Sequence, residues 1–259
     1  MEAITFQNVS KQHGKLTILS NISFEIPRGH TWALVGPSGV GKSTLLHLVA
    51  GLVQPSEGRI SIFGSSPAVS ARKRIFGYVF QDDLLLPWLT VSRNIGLPLN
   101  LAGQRRDETD RLVRQHCKHV HLDTLGNLYP DELSGGQRRR TALARATIHQ
   151  PQVLLMDEPF NALDEPLRRS LLYQYDQILR QNQLTAILVT HSVEEAIYLG
   201  DSIQVISGNP HLGDPGKITY SIQVPFRKPR SPELFRDASF ISLKERVLDE
   251  FLPSDADLA

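Results

Sequence analysis

Gly36-Pro37-Ser38-Gly39-Val40-Gly41-Lys42-Ser43 matches the spacing G-x-x-x-x-G-K-[ST], and its reading decides the fold. Phosphate groups need many donors and a positive potential in a small volume. A glycine-rich turn lets backbone N–H groups converge, and a helix N-terminus behind it adds partial positive charge. The flanks supply both parts. Thr31 to Val35 is a short apolar run of strand length, and Ser43 to Val49 has helical apolar spacing with no internal Gly or Pro. A glycine turn beside a solvated lysine is the bland alternative, and the strand–loop–helix order selects against it. Gly36 through Ser43, with Thr44, are the expected nucleotide-binding residues. Lys42 is expected to reach the β- and γ-phosphates and the Ser43 hydroxyl to ligate Mg²⁺.

Val153-Leu154-Leu155-Met156 is an apolar strand that ends on two carboxylates, Asp157-Glu158. Ligands of parallel α/β sheets bind outside the C-terminal ends of the strands, where the glycine loop also lies. Asp157 is expected to hold Mg²⁺ through water, and Glu158 to orient or deprotonate an attacking water. Alone, the pair would suit a strand meeting a polar turn before Pro159 equally well. Taken with the loop, it reads as chemistry.

Leu133-Ser134-Gly135-Gly136-Gln137 opens a helix with a hydroxyl and unobstructed glycine amides, a second arrangement suited to phosphate. Ser134 would also serve as a plain N-cap. By average composition this five-residue string has a chance of roughly one in a few thousand. It resembles the signature of ABC-type ATPases, the nucleotide-binding subunits of ATP-driven transporters, and the resemblance runs over about residues 1 to 225. The family implies an α/β fold: a P-loop NTPase core with an N-terminal antiparallel β subdomain and an inserted α-helical signature subdomain.

The resemblance also implies further roles. Gln81, after Gly77-Tyr78-Val79-Phe80, matches the Q-loop glutamine that senses Mg²⁺ and the attacking water. Leu163-Asp164 match the end of the D-loop, which crosses a dimer interface, and His191 in Val189-Thr190-His191 matches the switch histidine at the γ-phosphate. ATP and Mg²⁺ are the implied cofactors. In the family, ATP lies between the phosphate loop of one subunit and the signature of another, here Ser134, Gly135, Gly136 and Gln137. A second ATPase subunit, simplest as a homodimer, is therefore implied. The sequence departs from the family pattern in places. The adenine-stacking aromatic is replaced by His13 in Lys11-Gln12-His13-Gly14, and an imidazole offers less stacking area. Asn161 opens the D-loop in place of Ser or Gly, and His30 replaces a common acidic residue as a surface change.

Wider features set limits. The chain has 259 residues, with Lys+Arg 28 against Asp+Glu 27. A balance that even argues against a general basic field, so no nucleic-acid partner is expected. Arg138-Arg139-Arg140 reads as a solvated helix face. No run approaches the ~20 apolar residues of a membrane span. Cys117 alone supports neither a disulfide framework nor a cysteine zinc cage, so it reads as a buried apolar side chain in a protein of a reducing compartment.

Alternation at Ile4, Phe6 and then Ile18, Ile22, Phe24, Ile26 predicts strands. Arg105 to Val120, Arg138 to His149, Pro166 to Arg180, Val193 to Leu199 and Ser239 to Leu252 (closed by Pro253) read as helices. Tyr78 to Phe80, Ala186 to Val189, Ile203 to Ile206 and Ile218 to Val224 read as strands. The expected division is a first part of the nucleotide core with its β subdomain at 1-80, and a helical subdomain at 81-150. The second part of the core follows at 151-225, and a C-terminal helical extension at 226-259.

A separate ATPase chain is typical of the family's bacterial importers. That implies integral-membrane permease subunits and, indirectly, an extracytoplasmic solute-binding protein, with this chain peripheral on the cytoplasmic face of the inner or plasma membrane. Leu84-Leu85-Leu86-Pro87-Trp88, close to Gln81, reads either as core or, as the resemblance implies for importer ATPases, as the place that receives a permease coupling helix, and an apolar run so close to Gln81 favours the second. Phe80 to Val91 and Val224 to Arg230 resemble the nitrate/sulfonate/taurine branch, which includes importers of thiamine-precursor pyrimidines. The alternative is a soluble ABC ATPase acting on a ribosome or DNA complex, which would normally need a second cassette or a long coiled-coil insertion. A P-loop kinase or GTPase would have no use for Leu133 to Gln137.

Overall fold

The structure is a computed structural model and describes residues 2–251. β1 (Glu2–His13) and β2 (Leu16–Pro27) form an antiparallel hairpin whose Ile4, Phe6, Ile22 and Ile26 point into the core. β3 (Thr31–Val35), buried throughout, feeds the glycine loop and α1 (Lys42–Val49). β4 (Glu57–Ile62) returns to pair antiparallel with β1. The short α2 (Pro67–Arg72), with proline in its first turn, leads to β5 (Phe76–Val79). A helical excursion follows: α3 (Val91–Leu101), α4 (Arg106–His119) and α5 (Gly135–Thr147). The chain then alternates through β6 (Val153–Asp157), α6 (Glu165–Gln181), β7 (Thr185–Thr190) and α7 (Val193–Leu199). β8 (Ser202–Asn209) and β9 (Asp214–Gln223) form an antiparallel pair, and α8 (Ala238–Phe251) packs back onto α7 and β8. The closing role expected of Pro253 lies outside the described residues.

The strands form one sheet in the order β4-β1-β2-β9-β8-β3-β7-β6-β5. The segment β8-β3-β7-β6-β5 is parallel. A single parallel pairing, Leu19 with Gly216, joins it to the antiparallel hairpin. Both faces of the parallel part are covered, as such sheets require. The strand period of two sends Ala33, Val35, Leu154, Met156, Ala186 and Leu188 to one face, against α6, α7 and α8. Trp32, Leu34, Val153, Leu155, Ile187 and Val189 go to the other, against α1 and the β1–β2 hairpin. The excursion α3–α5 has its own apolar cluster, built on Val91, Ile95, Val113, Cys117, Leu133 and Ala144.

The strands and helices expected from sequence are present, with ends shifted by a few residues. α5 starts at Gly135 rather than Arg138. The Ser134 side chain accepts from Gln137 N–H while the Gln137 side chain accepts from Ser134 N–H, a reciprocal cap that lets two glycines enter the helix. β4, α2 and α3 had no counterpart in the sequence reading. The arginine run is a correction: it is not a solvated face. Arg139 is buried, its Nη1 donating to the Phe80 carbonyl and lying 3.2 Å from Asp83 Oδ1. Arg138 donates to the Leu133 carbonyl and lies 3.6 Å from Asp83 Oδ2.

Candidate active site

Three neighbouring strands of the sheet, β3, β7 and β6, release their chains at one edge. β3 delivers Gly36 to Ser43, β6 delivers Asp157-Glu158, and β7 delivers His191 just past its end. The glycine loop has little steric freedom to be anything else. A Cβ on Gly36 would collide with the Ile206 carbonyl oxygen, and Gly41 adopts φ 108° with Leu19 Cδ2 2.7 Å from where a Cβ would sit. α1 therefore starts directly under the loop with no side-chain cap on its first N–H groups, which leaves them for a ligand.

Lys42 is 5% exposed, and its Nζ donates to the carbonyls of Gly36 and Pro37 at 2.8 Å each. It also lies 4.0 Å from Glu158 Oε1. Burial pushes its ammonium below the ordinary lysine range, opposed by the Glu158 and Asp157 charges. The Ser43 hydroxyl donates to Asp157 Oδ1 at 3.1 Å. Burial pushes the Asp157 carboxyl up, and the Ser43 hydrogen bond opposes that. Glu158 is anchored by its N–H on the Val189 carbonyl at 2.8 Å, and its backbone is left-handed, φ 44°. A bulky non-glycine residue held there stores strain, a state common at functional positions. Glu158 Oε2 lies 3.1 Å from Nδ1 of His191, whose ring is exposed. Ser38, Lys42, Ser43, Gln81, Glu158 and His191 line one open cleft of about 570 Å³.

Gln81 enters that cleft from the turn after β5. Its position is set from α5: Arg145 donates to the carbonyls of Asp83 and Leu84 at 2.7 Å each, and Arg139 to that of Phe80 at 3.3 Å. These arginines were not legible as site residues, since the only signal is their later contact with a loop 55 or more positions earlier. Beyond the clamp, Leu84 and Trp88 are 55% and 68% exposed, so the Leu84–Trp88 stretch is surface and not core.

Other expected site residues lie elsewhere. None of Ser134 to Gln137 lines the cleft. Asp164 caps α6, its Oδ1 accepting from Leu167 N–H at 2.9 Å, and is exposed. His13 is exposed at the tip of the β1–β2 hairpin, and Ile18 is the hairpin side chain that lines the cleft. A larger hollow of about 960 Å³ opens at the opposite strand ends around Arg28, Asp201 and Lys228. It contains none of these residues, and Lys228 and Asp201 are already paired at 2.9 Å.

A family model described as ABC transporter matches residues 19–161. The sulfate/thiosulfate import ATP-binding protein CysA of Synechocystis sp. is 46% identical over 206 residues, 79% of this chain and 58% of that relative. The chain thus spans less than two thirds of that relative's length. The aliphatic sulfonates import ATP-binding protein SsuB of Burkholderia ambifaria is 41% identical over 99% of this chain and 75% of its own length. The SsuB of Bacillus cereus is 40% identical over 93% of this chain and 91% of its own. Among solved structures, the ATP-binding cassette MJ0796, a dimer in a post-hydrolysis state bound to ADP and Pi, superposes with TM-score 0.74. It is 27% identical and covers 86% of this chain and 100% of that one. CbiO1 of Clostridium perfringens shares the fold, TM-score 0.77 at 22% identity over 95% of each chain.

Proposed function

The chain belongs to the ABC transporter family, and from that membership we propose that it is the ATP-hydrolysing subunit of a multi-subunit importer for a small oxyanion of the sulfonate or sulfate type. It is an ATPase. The observation that carries the catalytic reading is the convergence in one cleft of Lys42, Ser43, which is hydrogen-bonded to Asp157 behind it, and the Glu158–His191 pair.

Lys42 leaves its two loop carbonyls and pairs with the phosphates. α1 and the loop N–H groups hold the remaining phosphate charge. Ser43 and Asp157, with Gln81, offer the oxygens that a hard cation accepts, and Mg²⁺ needs few protein oxygens because it keeps phosphate and water ligands. When bound, Mg²⁺ supplies neutralisation of charge on the β- and γ-phosphate oxygens. Glu158 takes the proton of the attacking water, and His191 holds Glu158 in orientation and faces the γ-phosphate. Nothing here requires a covalent enzyme intermediate, because phosphoryl transfer is driven by positioning and electrostatic stabilisation.

Ser134 to Gln137 act in this reading on the nucleotide of a second subunit, and Asp164 lies at the contact between subunits. The exposed Leu84–Trp88 stretch receives a membrane subunit, and closure of the ATPase pair drives alternating access there. No helix among the described residues is long and apolar enough to cross a membrane. The chain then works as a peripheral subunit on the cytoplasmic face. The sulfonate and sulfate assignment rests on the names of the relatives and on the branch resemblance of Phe80 to Val91 and Val224 to Arg230. Its test is uptake of radiolabelled sulfate and alkanesulfonates by cells with and without this gene. Unchanged uptake of both would contradict the substrate class and leave the ATPase reading in place.

A further inference from the structure

Glu195, on α7, sits four positions after His191 and is 4% exposed. A buried carboxylate is expensive as scaffold unless it is well paired. This one has a single side-chain hydrogen bond, from Thr190 Oγ1 to its Oε2 at 2.5 Å. The same Thr190 Oγ1 accepts from Ser192 N–H at 3.0 Å. Glu195 therefore grips both residues that flank His191.

Its other oxygen faces α6. Arg168 Nε lies 3.7 Å from Glu195 Oε1 and is buried with no hydrogen-bond partner. The other two guanidinium nitrogens of Arg168 are committed. Nη2 donates to the Leu163 carbonyl and Nη1 to Glu165, both at 2.8 Å. Leu163 immediately precedes Asp164, the residue read as part of the subunit contact. An unpaired buried donor thus stands about 0.8 Å short of an ordinary ~2.9 Å hydrogen bond to an under-paired buried acid. A cavity of about 360 Å³, lined by Phe160, Asn161, Arg168, His191, Ser192 and Glu195 among others, leaves these segments room to move.

We infer that Glu195 is a positioning residue for His191, and that closing the Arg168–Glu195 contact ties the loop ending in Leu163-Asp164 to the orientation of the histidine. In this scheme a second subunit pressing on Asp164 moves Leu163, which carries Arg168 onto Glu195. Glu195 in turn fixes Thr190 and Ser192 around the histidine. Burial pushes the Glu195 carboxyl up to about 7, so an arriving guanidinium gains by restoring the charged form. The inference rests on the reading of His191 as a group acting at the γ-phosphate.

The test uses the full chain and steady-state MgATP hydrolysis in Glu195→Gln, Arg168→Gln, the double variant and His191→Ala, with thermal melts to establish folding. The expected result is a kcat lowered roughly fivefold or more in each single variant, with KM for MgATP within about twofold of the parent. The double variant is expected to be no worse than the poorer single one, because the two residues act through one contact. A smaller fall in kcat, a loss confined to KM, or losses that multiply in the double variant would overturn the inference. If Glu195→Gln does not fold, Arg168→Gln decides by the same kcat criterion, its side chain being at the edge of the core. Retained hydrolysis in His191→Ala would instead overturn the reading of the histidine itself.

Discussion

Glu158 is held between opposing demands. Its backbone is left-handed and tied to Val189, while its carboxylate reaches His191 on one side and Lys42 on the other. Glu158→Gln keeps the shape and removes the base. We expect kcat to fall about 10²- to 10⁴-fold while ATP still binds, measured by phosphate release and by equilibrium binding of a fluorescent ATP analogue. Unchanged hydrolysis would remove Glu158 from the mechanism. Lys42→Ala is expected to weaken nucleotide binding itself, because the ammonium is the only lysine charge lining the cleft. At this scale the loop from Gly36 and the acids after β6 were readable from spacing and strand context, and the histidine after β7 from the resemblance to the family. The sequence was not readable where a side chain is placed by a distant segment. Ile18 rather than His13 lines the cleft because of how the hairpin leans on the loop, and Arg139 and Arg145 matter because α5 passes behind the turn holding Gln81.

Helix ends and helix contacts carry their own tests. Arg230 is 2% exposed and donates to the carbonyls of Ile197, Tyr198 and Gly200, closing the C-terminus of α7, and to that of Phe226. Arg230→Leu would strand those carbonyls in the core. A loss of about 3 kcal/mol or more is expected, read as a lowered urea midpoint at unchanged slope. His116 of α4 is half-buried and bonds Thr147 of α5 at 2.9 Å. Burial, with His119 adding to it, holds its pKa down to about 4 from 6.5. The unfolded chain then binds the extra proton first. Stability from this group is complete above pH 6.5 and is lost progressively as pH falls toward 4, by on the order of 3 kcal/mol. His116→Gln should flatten the pH dependence of the melting temperature across that window, and an unaltered slope would contradict the assignment. α4, α5, α6 and α7 could be read from their apolar spacing. α3 could not, because Gly96 and Pro98 interrupt it and tertiary contact with α4 and α5 holds it. α2 and β4 are six residues each, too short for periodicity to register.

In the whole molecule, the glycine loop and the Ser134–Gln137 segment do not meet. The cleft is lined by glycine-loop residues, Glu158 and His191, with Asp157 behind Ser43, whereas Ser134 to Gln137 sit at the start of α5 outside it. The alternation of apolar runs and helices after Val153 pointed to an α/β core, but not to the order of its strands. Nor did it point to the single pairing of Leu19 with Gly216 that joins the hairpin to the core, since one bridge leaves no sequence pattern. In the proposed reading, in which Ser134 to Gln137 act on the nucleotide of a second subunit, the separate placement of loop and signature calls for two chains, head to tail. The most direct test is complementation between two defective subunits. Ser134→Arg spoils a signature and Lys42→Ala spoils a phosphate loop, so each homodimer has no intact site, while a mixed dimer has one. The account predicts negligible MgATP hydrolysis by either variant alone and recovered hydrolysis when the two are mixed. Full activity in either variant by itself would contradict it.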